Sequence, residues 1–200
     1  MTPLLWSGAV GSWLFVAVFL LDGLTRPGYQ PVRQPVSALA LGPRGWIQTT
    51  NFVLCGLLIT AGATTLPTAT DGYALALGVG VLGLALVASG IFRMDPMRGY
   101  PPGTPDSTPE EYSTRHQAHD WAGTVVFLLL PGVALIAVLE LADPAWKVAS
   151  GIVAAASAVA VGAFGRLWEQ DSPRVGLVQR AAITISLVWL GCLFAYGATT

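Results

Sequence analysis

Six apolar stretches, each close to the length that crosses a bilayer, decide what this chain can fold into. A hydrocarbon core about 30 Å thick takes about 20 apolar residues in a helix. Pro3–Leu24, Ile47–Leu66, Tyr73–Ile91, Trp121–Leu141, Trp146–Leu167 and Val178–Tyr196 all approach that length. Lipid offers no partner to an exposed backbone, so spanning segments of this kind must be helical. The expected fold is all-α: a polytopic integral membrane protein, a bundle of six transmembrane helices in three hairpins, forming one domain over residues 1–200. Composition agrees. Only 10% of the residues are charged, against about 25% in soluble domains, and the mean hydropathy is +0.63. The N-terminal stretch lacks a positive leader region and reads as a retained first helix, not a cleaved signal.

Connections alternate in character. "PTATDG" after the second stretch and "ADPA" after the fourth are tight turns, whereas the odd-numbered connections are long or charged. Arg26, Arg33, Arg44, Arg93, Arg98, Arg115, Arg166, Arg174 and Arg180 all fall on the odd side, and Lys147 alone on the other. The positive-inside rule makes the odd loops cytoplasmic and puts both termini outside a cell (inner) membrane. Trp46, Trp121, Trp146 and Trp168 sit at helix ends as interfacial anchors. Ala154, Ala158 and Gly162 form a small-residue stripe suited to close helix packing, and Pro131 is expected to kink the fourth helix or open a local gap in its backbone bonding unless neighbours compensate. Glu140, Asp143 and Lys147 read as ordinary interfacial charges. Cys55 and Cys192 lie in apolar runs and read as small buried hydrophobes. A net charge of -1 with no basic tail argues against a nucleic-acid partner.

The arginine side carries the candidate chemistry. Asp22 ends the first apolar run. It is either an i, i+4 partner of Arg26 or a desolvated carboxyl able to exchange a proton. "HQAHD" places His116, His119 and Asp120 on one side of a helix, where they form an acid/base unit, a solvated first turn, or two ligands of an incomplete metal set. No metal motif and no cofactor fingerprint accompanies them, so neither a metal nor a cofactor is expected. The candidate catalytic residues are therefore Asp22, Asp95, His116, His119 and Asp120. Arg26, Arg33, Arg98 and Arg180 suit an anionic head group, and Tyr29, Asn51, Tyr100 and Trp121 complete a candidate binding set. The phrase Asp–Arg–Gly-Tyr–Pro occurs twice, around Asp22–Pro31 and Asp95–Pro101, each time where an apolar run ends.

"RPGYQPVRQPVSALALGPRGWIQTTNFVLCGLL", Arg26–Leu58, resembles the signature region of a bacterial and archaeal membrane family, domain-of-unknown-function family 998. The matching phrase is Tyr29, Pro31, Ser37 and Leu39, followed by Gly42, Gly45 and Asn51. The resemblance implies a small multi-helix membrane protein and no particular reaction. More distantly, the loop is similar to one in a eukaryotic group of six-helix membrane proteins linked to lipid remodelling and autophagy.

Two classes of function follow. One is a membrane-embedded enzyme acting on a lipid or isoprenoid amphiphile by acid/base chemistry, with proton-initiated cyclisation or isomerisation favoured. The other is a non-enzymatic lipid-binding protein or complex subunit whose Asp, Arg and His cluster is structural. A transporter ranks below both, because polar groups are nearly missing from the middle of the second, third and fifth stretches.

Overall fold

The computed structural model describes residues 2–68 and 72–199. Among them are six α-helices: α1 (Thr2–Thr25), α2 (Gly45–Ala63), α3 (Ala74–Ile91), α4 (Thr114–Glu140), α5 (Pro144–Glu169) and α6 (Val175–Thr199). Each is long and apolar enough to span a bilayer, and the chain is an all-α, multi-pass integral membrane protein. Consecutive helices pack side by side, and α6 returns to pack on α1, so the bundle closes into a ring. The C-terminal ends of α1, α3 and α5 therefore share a face with the N-terminal ends of α2, α4 and α6. This is the arginine face.

Apolar length locates the helix centres, and caps set the ends. α4 starts seven residues before Trp121 because the Ser113 side chain accepts the backbone N–H of His116, and "TRHQAHD" continues the helix outward. Asp143 caps α5 by accepting from Ala145 and Trp146, with Pro144 at the first turn. Glu140 accepts from the N–H groups of Ala74 and Leu75 at the start of α3, both at 3.0 Å. Glu140 and Asp143 are thus helix caps, not the plain interfacial charges expected. Of the Pro67–Gly72 turn, residues 69–71 lie outside the described residues. α4 runs on through Pro131, which leaves the carbonyl of Phe127 without its intrahelical donor.

Close approach is built from glycines, and not where the small-residue stripe suggested. A Cβ at Gly56 of α2 would stand 2.6 Å from the Gly83 carbonyl oxygen of α3, and one at Gly62 would stand 2.7 Å from the Gly8 Cα of α1. Gly8 itself lies against the ring of Phe194 in α6. Helices α1, α2, α3 and α6 are thereby drawn to backbone contact, where dispersion and packing can act between apolar surfaces. α5 is different: it buries only Ser150, Ala154 and Ser157. Ala158 and Gly162 face outward, and a Cβ at Gly162 would meet nothing within 4 Å. Only Ala154 of the stripe packs, because α5 lies on the loose side of the ring. Inside the bundle Ser157 of α5 meets Ser186 of α6, hydroxyl to hydroxyl, at 2.8 Å.

Gly56→Leu is expected to force α2 from α3 and cost at least the ~1–3 kcal/mol of ordinary overpacking. Gly162→Ala should leave stability unchanged. Thermal unfolding of the two variants in the same detergent checks the contrast.

Candidate functional site

Two loops cover the arginine face, and buried guanidinium groups hold them down. Arg26 (6% exposed) donates to the carbonyls of Leu39 (2.7 Å), Leu41 (3.0 Å) and Arg44 (2.8 Å), to the Tyr100 hydroxyl, and to Asp22. Arg44 donates to the other Asp22 oxygen at 2.6 Å. Arg180 donates to the carbonyls of Pro31, Gln34 and Gly176 and to the Tyr29 hydroxyl. Each guanidinium offers five donors in a rigid fork, which suits loop carbonyls that no helix or strand satisfies. Gln179 adds a further tie, accepting the Val36 N–H at 2.7 Å. The repeated phrase acquires a structural meaning here. Gly28 and Gly99 both take left-handed φ, 73° and 75°, which favours glycine. The tyrosines that follow, Tyr29 and Tyr100, meet edge to face at 5.2 Å. Burial pushes the Tyr29 phenol up to about 12, against the lowering influence of Arg180, so it remains a hydroxyl at neutral pH.

These bonds account for most of the binding set expected from sequence. Arg26, Tyr29, Tyr100 and Arg180 tie loops together. Arg33 pairs with Asp106 across the two loops. Asn51 donates to the Phe15 carbonyl and the Gln48 side chain. Arg98 donates to the Trp168 carbonyl, pairs with Asp171, and lies 4.0 Å above the Trp168 ring. Trp121 is 75% exposed and points away from the interior. Asp22 spends both oxygens on Arg26 and Arg44. Asp95 spends both on Ser113, accepting its N–H at 2.8 Å and its hydroxyl at 2.6 Å. Burial pushes the Asp95 carboxyl up, but the Ser113 hydrogen bonds and the neighbouring His116 outweigh it and hold the carboxyl below its ordinary value. The two aspartates do not share a pocket, and neither borders the cavity described next.

That cavity, about 440 Å³, lies inside the ring below the arginine face. Its depths are apolar, with Phe15, Leu82, Val126, Leu130 and Leu187 contributing. Its polar end holds His116, His119 and Asp120 from the expected set, together with Ser89, Glu169 and Gln179. The backbone fixes opposite tautomers on the two histidines. His116 Nδ1 accepts the Asp95 N–H at 2.8 Å, so its proton is on Nε2, which faces the Asp120 carboxylate at 3.2 Å. His119 Nδ1 faces the carbonyls of Phe92 (2.8 Å) and Ser89 (3.2 Å) at the end of α3. Carbonyls only accept, so this nitrogen carries the proton and Nε2 keeps a lone pair. His119 is 7% exposed. Its Nε2 makes no hydrogen bond among the described residues, and it is the ring nitrogen left for the cavity. Among the described residues, no three of His, Cys, Asp and Glu gather as metal ligands.

Sequence reasoning missed Glu169, Ser89 and the pair of Phe127 and Phe164, whose rings meet at 4.8 Å on the α4–α5 wall. The only signal for Glu169 was its place one turn beyond Gly165 on the helix that packs least.

The model of a protein family described as "Protein of unknown function (DUF998)" matches residues 9–196. No curated protein matches the chain, and no solved structure does.

Two outcomes test the structural assignments. Asp22→Asn leaves two guanidinium groups without an anion and is expected to cost about 3–5 kcal/mol, as broken buried pairs do; thermal melting of the purified variant measures it. Asp95 has a lowered folded pKa. Its contribution to the α4 cap is complete above the ordinary carboxylate value of about 3.9, and it disappears as pH falls through the lower folded value. Amide hydrogen exchange at residues 113–118 should therefore accelerate in acid in the native chain, and Asp95→Asn should show fast exchange with no acid step.

Proposed function

We propose that this chain, which belongs to the DUF998 family of proteins of unknown function, is a membrane-embedded acid/base enzyme acting on an amphiphile, with His119 as the proton-transferring group. The observation that carries this reading is the unpartnered Nε2 of a buried histidine facing an apolar cavity. The volume of about 440 Å³ lies within the range of ligand pockets, about 300–1,000 Å³, and a few convergent polar groups among apolar walls are what such sites present.

The chemistry that fits is isomerisation. His119 Nε2 takes a proton from a carbon flanking a double bond or carbonyl, the electron pair shifts along the system, and the same Nε2–H returns the proton at its far end. Atoms and charge balance without a cofactor. The Phe92 and Ser89 carbonyls hold the ring orientation and tautomer throughout. His116 and Asp120, joined by a hydrogen bond at the mouth, form a route by which a proton exchanges with water. Cyclisation started by Asp22 or Asp95 is less well supported, since both carboxylates are committed away from the cavity. The arginine face is assigned to the cytoplasm and both termini to the outside of the cell membrane.

The non-enzymatic alternative has its own observation. His119 also satisfies the carbonyls of Ser89 and Phe92 at the end of α3, so its placement is explained by packing alone. Deuterium uptake separates the readings. The protein in nanodiscs of a bacterial polar lipid extract, incubated in D₂O, is expected to place deuterium on carbon in one lipid class. His119→Gln should slow uptake by about 10²–10⁴-fold, the usual worth of a general base. No uptake in any lipid, with an amphiphile still co-purifying, would leave only the binding function.

A further inference from the structure

Resting on the reading of the cavity as a ligand site, we propose that it takes one hydrocarbon chain sideways from the bilayer between α4 and α5, and that it selects a cationic, amine-bearing head group over an anionic one.

The side entrance follows from residues that belong to two surfaces at once. Thr124 and Leu128 of α4 and Gly165 of α5 border the cavity and are also exposed on the outside of the bundle, Leu128 by 67%. A Cβ at Gly123 or Gly165 would meet nothing within 4 Å. The wall is thus open at the depth where lipid lies against the helices. It is framed below by Phe127 and Phe164. α5, which forms one side of the gap, is the helix with the fewest buried residues. The volume is near the lower end of the ligand-pocket range, which suits one chain and not a two-chain lipid.

Head-group selection follows from charge. Two carboxylates, Asp120 and Glu169, border the cavity and no Lys or Arg does. Glu169 carries no ion pair among the described residues. Arg26, Arg44 and Arg180 are consumed by loop carbonyls and Asp22, and Arg98 reaches the cavity wall at Trp168, whose carbonyl and ring it engages. An anionic head would meet two carboxylates and no Lys or Arg of the cavity lining, a repulsion moderated by solvent because both side chains are exposed. An ammonium would be attracted to the same two carboxylates, with its chain among Leu82, Leu130 and Leu187. The arginine-held anionic head group expected from sequence is the opposite of this.

Photoactivatable probes decide the matter. A long-chain primary amine and a fatty acid of the same length, each with a diazirine on the chain, are mixed separately into phosphatidylcholine nanodiscs holding the protein, at neutral pH. Labelled residues are mapped by peptide mass spectrometry. The amine is expected to label Phe127, Phe164 and Leu187, and the fatty acid about tenfold less. Gly165→Trp, at an exposed open position, should abolish this labelling with the melting temperature unchanged, and Gly123→Trp should do the same from the other side. Asp120→Asn with Glu169→Gln should remove the preference for the amine. Equal or stronger labelling by the fatty acid, or labelling that survives both tryptophan plugs, would overturn the proposal. Cavity labelling without deuterium uptake would sink the proton-transfer reading and leave this one standing; deuterium uptake with the fatty acid preferred would do the reverse.

Discussion

The Arg26 guanidinium sets how the arginine face is built. The loop between α1 and α2 crosses the helix ends without regular structure beyond the short 3₁₀ segment Val36–Ala40, so its carbonyls need donors that a buried loop cannot draw from water. Arg26 supplies several from one planar group. That solution brings a positive charge into the interior, and a buried charge requires a partner. Asp22, one helical turn earlier, is that partner, with Arg44 closing over its second oxygen. An aspartate at the end of an apolar run is therefore explained by the arginine it serves. Arg180 supplies donors in the same way from α6, to the Tyr29 hydroxyl and three carbonyls, with no carboxylate partner among the described residues.

Holding the loops so firmly has a consequence deeper in the bundle. The tied loop rests on α1, α2 and α6, which together with α3 approach through glycines. Packing energy between apolar helices in lipid comes from such contact, since transfer from lipid to protein interior provides little. α4 and α5 lack this registration. They meet through larger side chains such as Phe127 and Phe164, and the space between them and the tight half stays open as the cavity. One half of the ring is drawn to backbone contact, and the other borders the cavity.

The number and placement of the helices were legible because bilayer thickness translates directly into apolar length. Their ends were not, because caps such as Ser113 and Glu140 act through distances in space. Glu140 lies 66 residues from the N–H of Ala74 that it accepts. At the site, the sequence pointed to the arginine face and to His116 and His119, both of which border the cavity. It did not show that loop carbonyls occupy the arginines, because residue type shows what a guanidinium can bind, not which group reaches it first. The tautomers of the two histidines were likewise invisible, since they depend on which backbone group each ring nitrogen meets. The echo of Gly-Tyr-Pro was visible, but its meaning, two tyrosines packed on one another after two left-handed glycines, required the fold.

Structural use of arginine also bears on orientation. A positive-inside argument counts cations that interact with the membrane and its insertion machinery, so arginines recruited to hold loops weaken it. Removing the buried Arg26, Arg98 and Arg180 and the paired Arg33 and Arg44 from the nine leaves Arg93, Arg115, Arg166 and Arg174, all exposed on the same face. Lys147 alone remains opposite. The bias survives the correction, and it supports the cytoplasmic assignment on grounds independent of the site. The same face thus carries two sets of charges: exposed arginines that bond no loop carbonyl, and the carboxylates Asp120 and Glu169 at the border of the cavity.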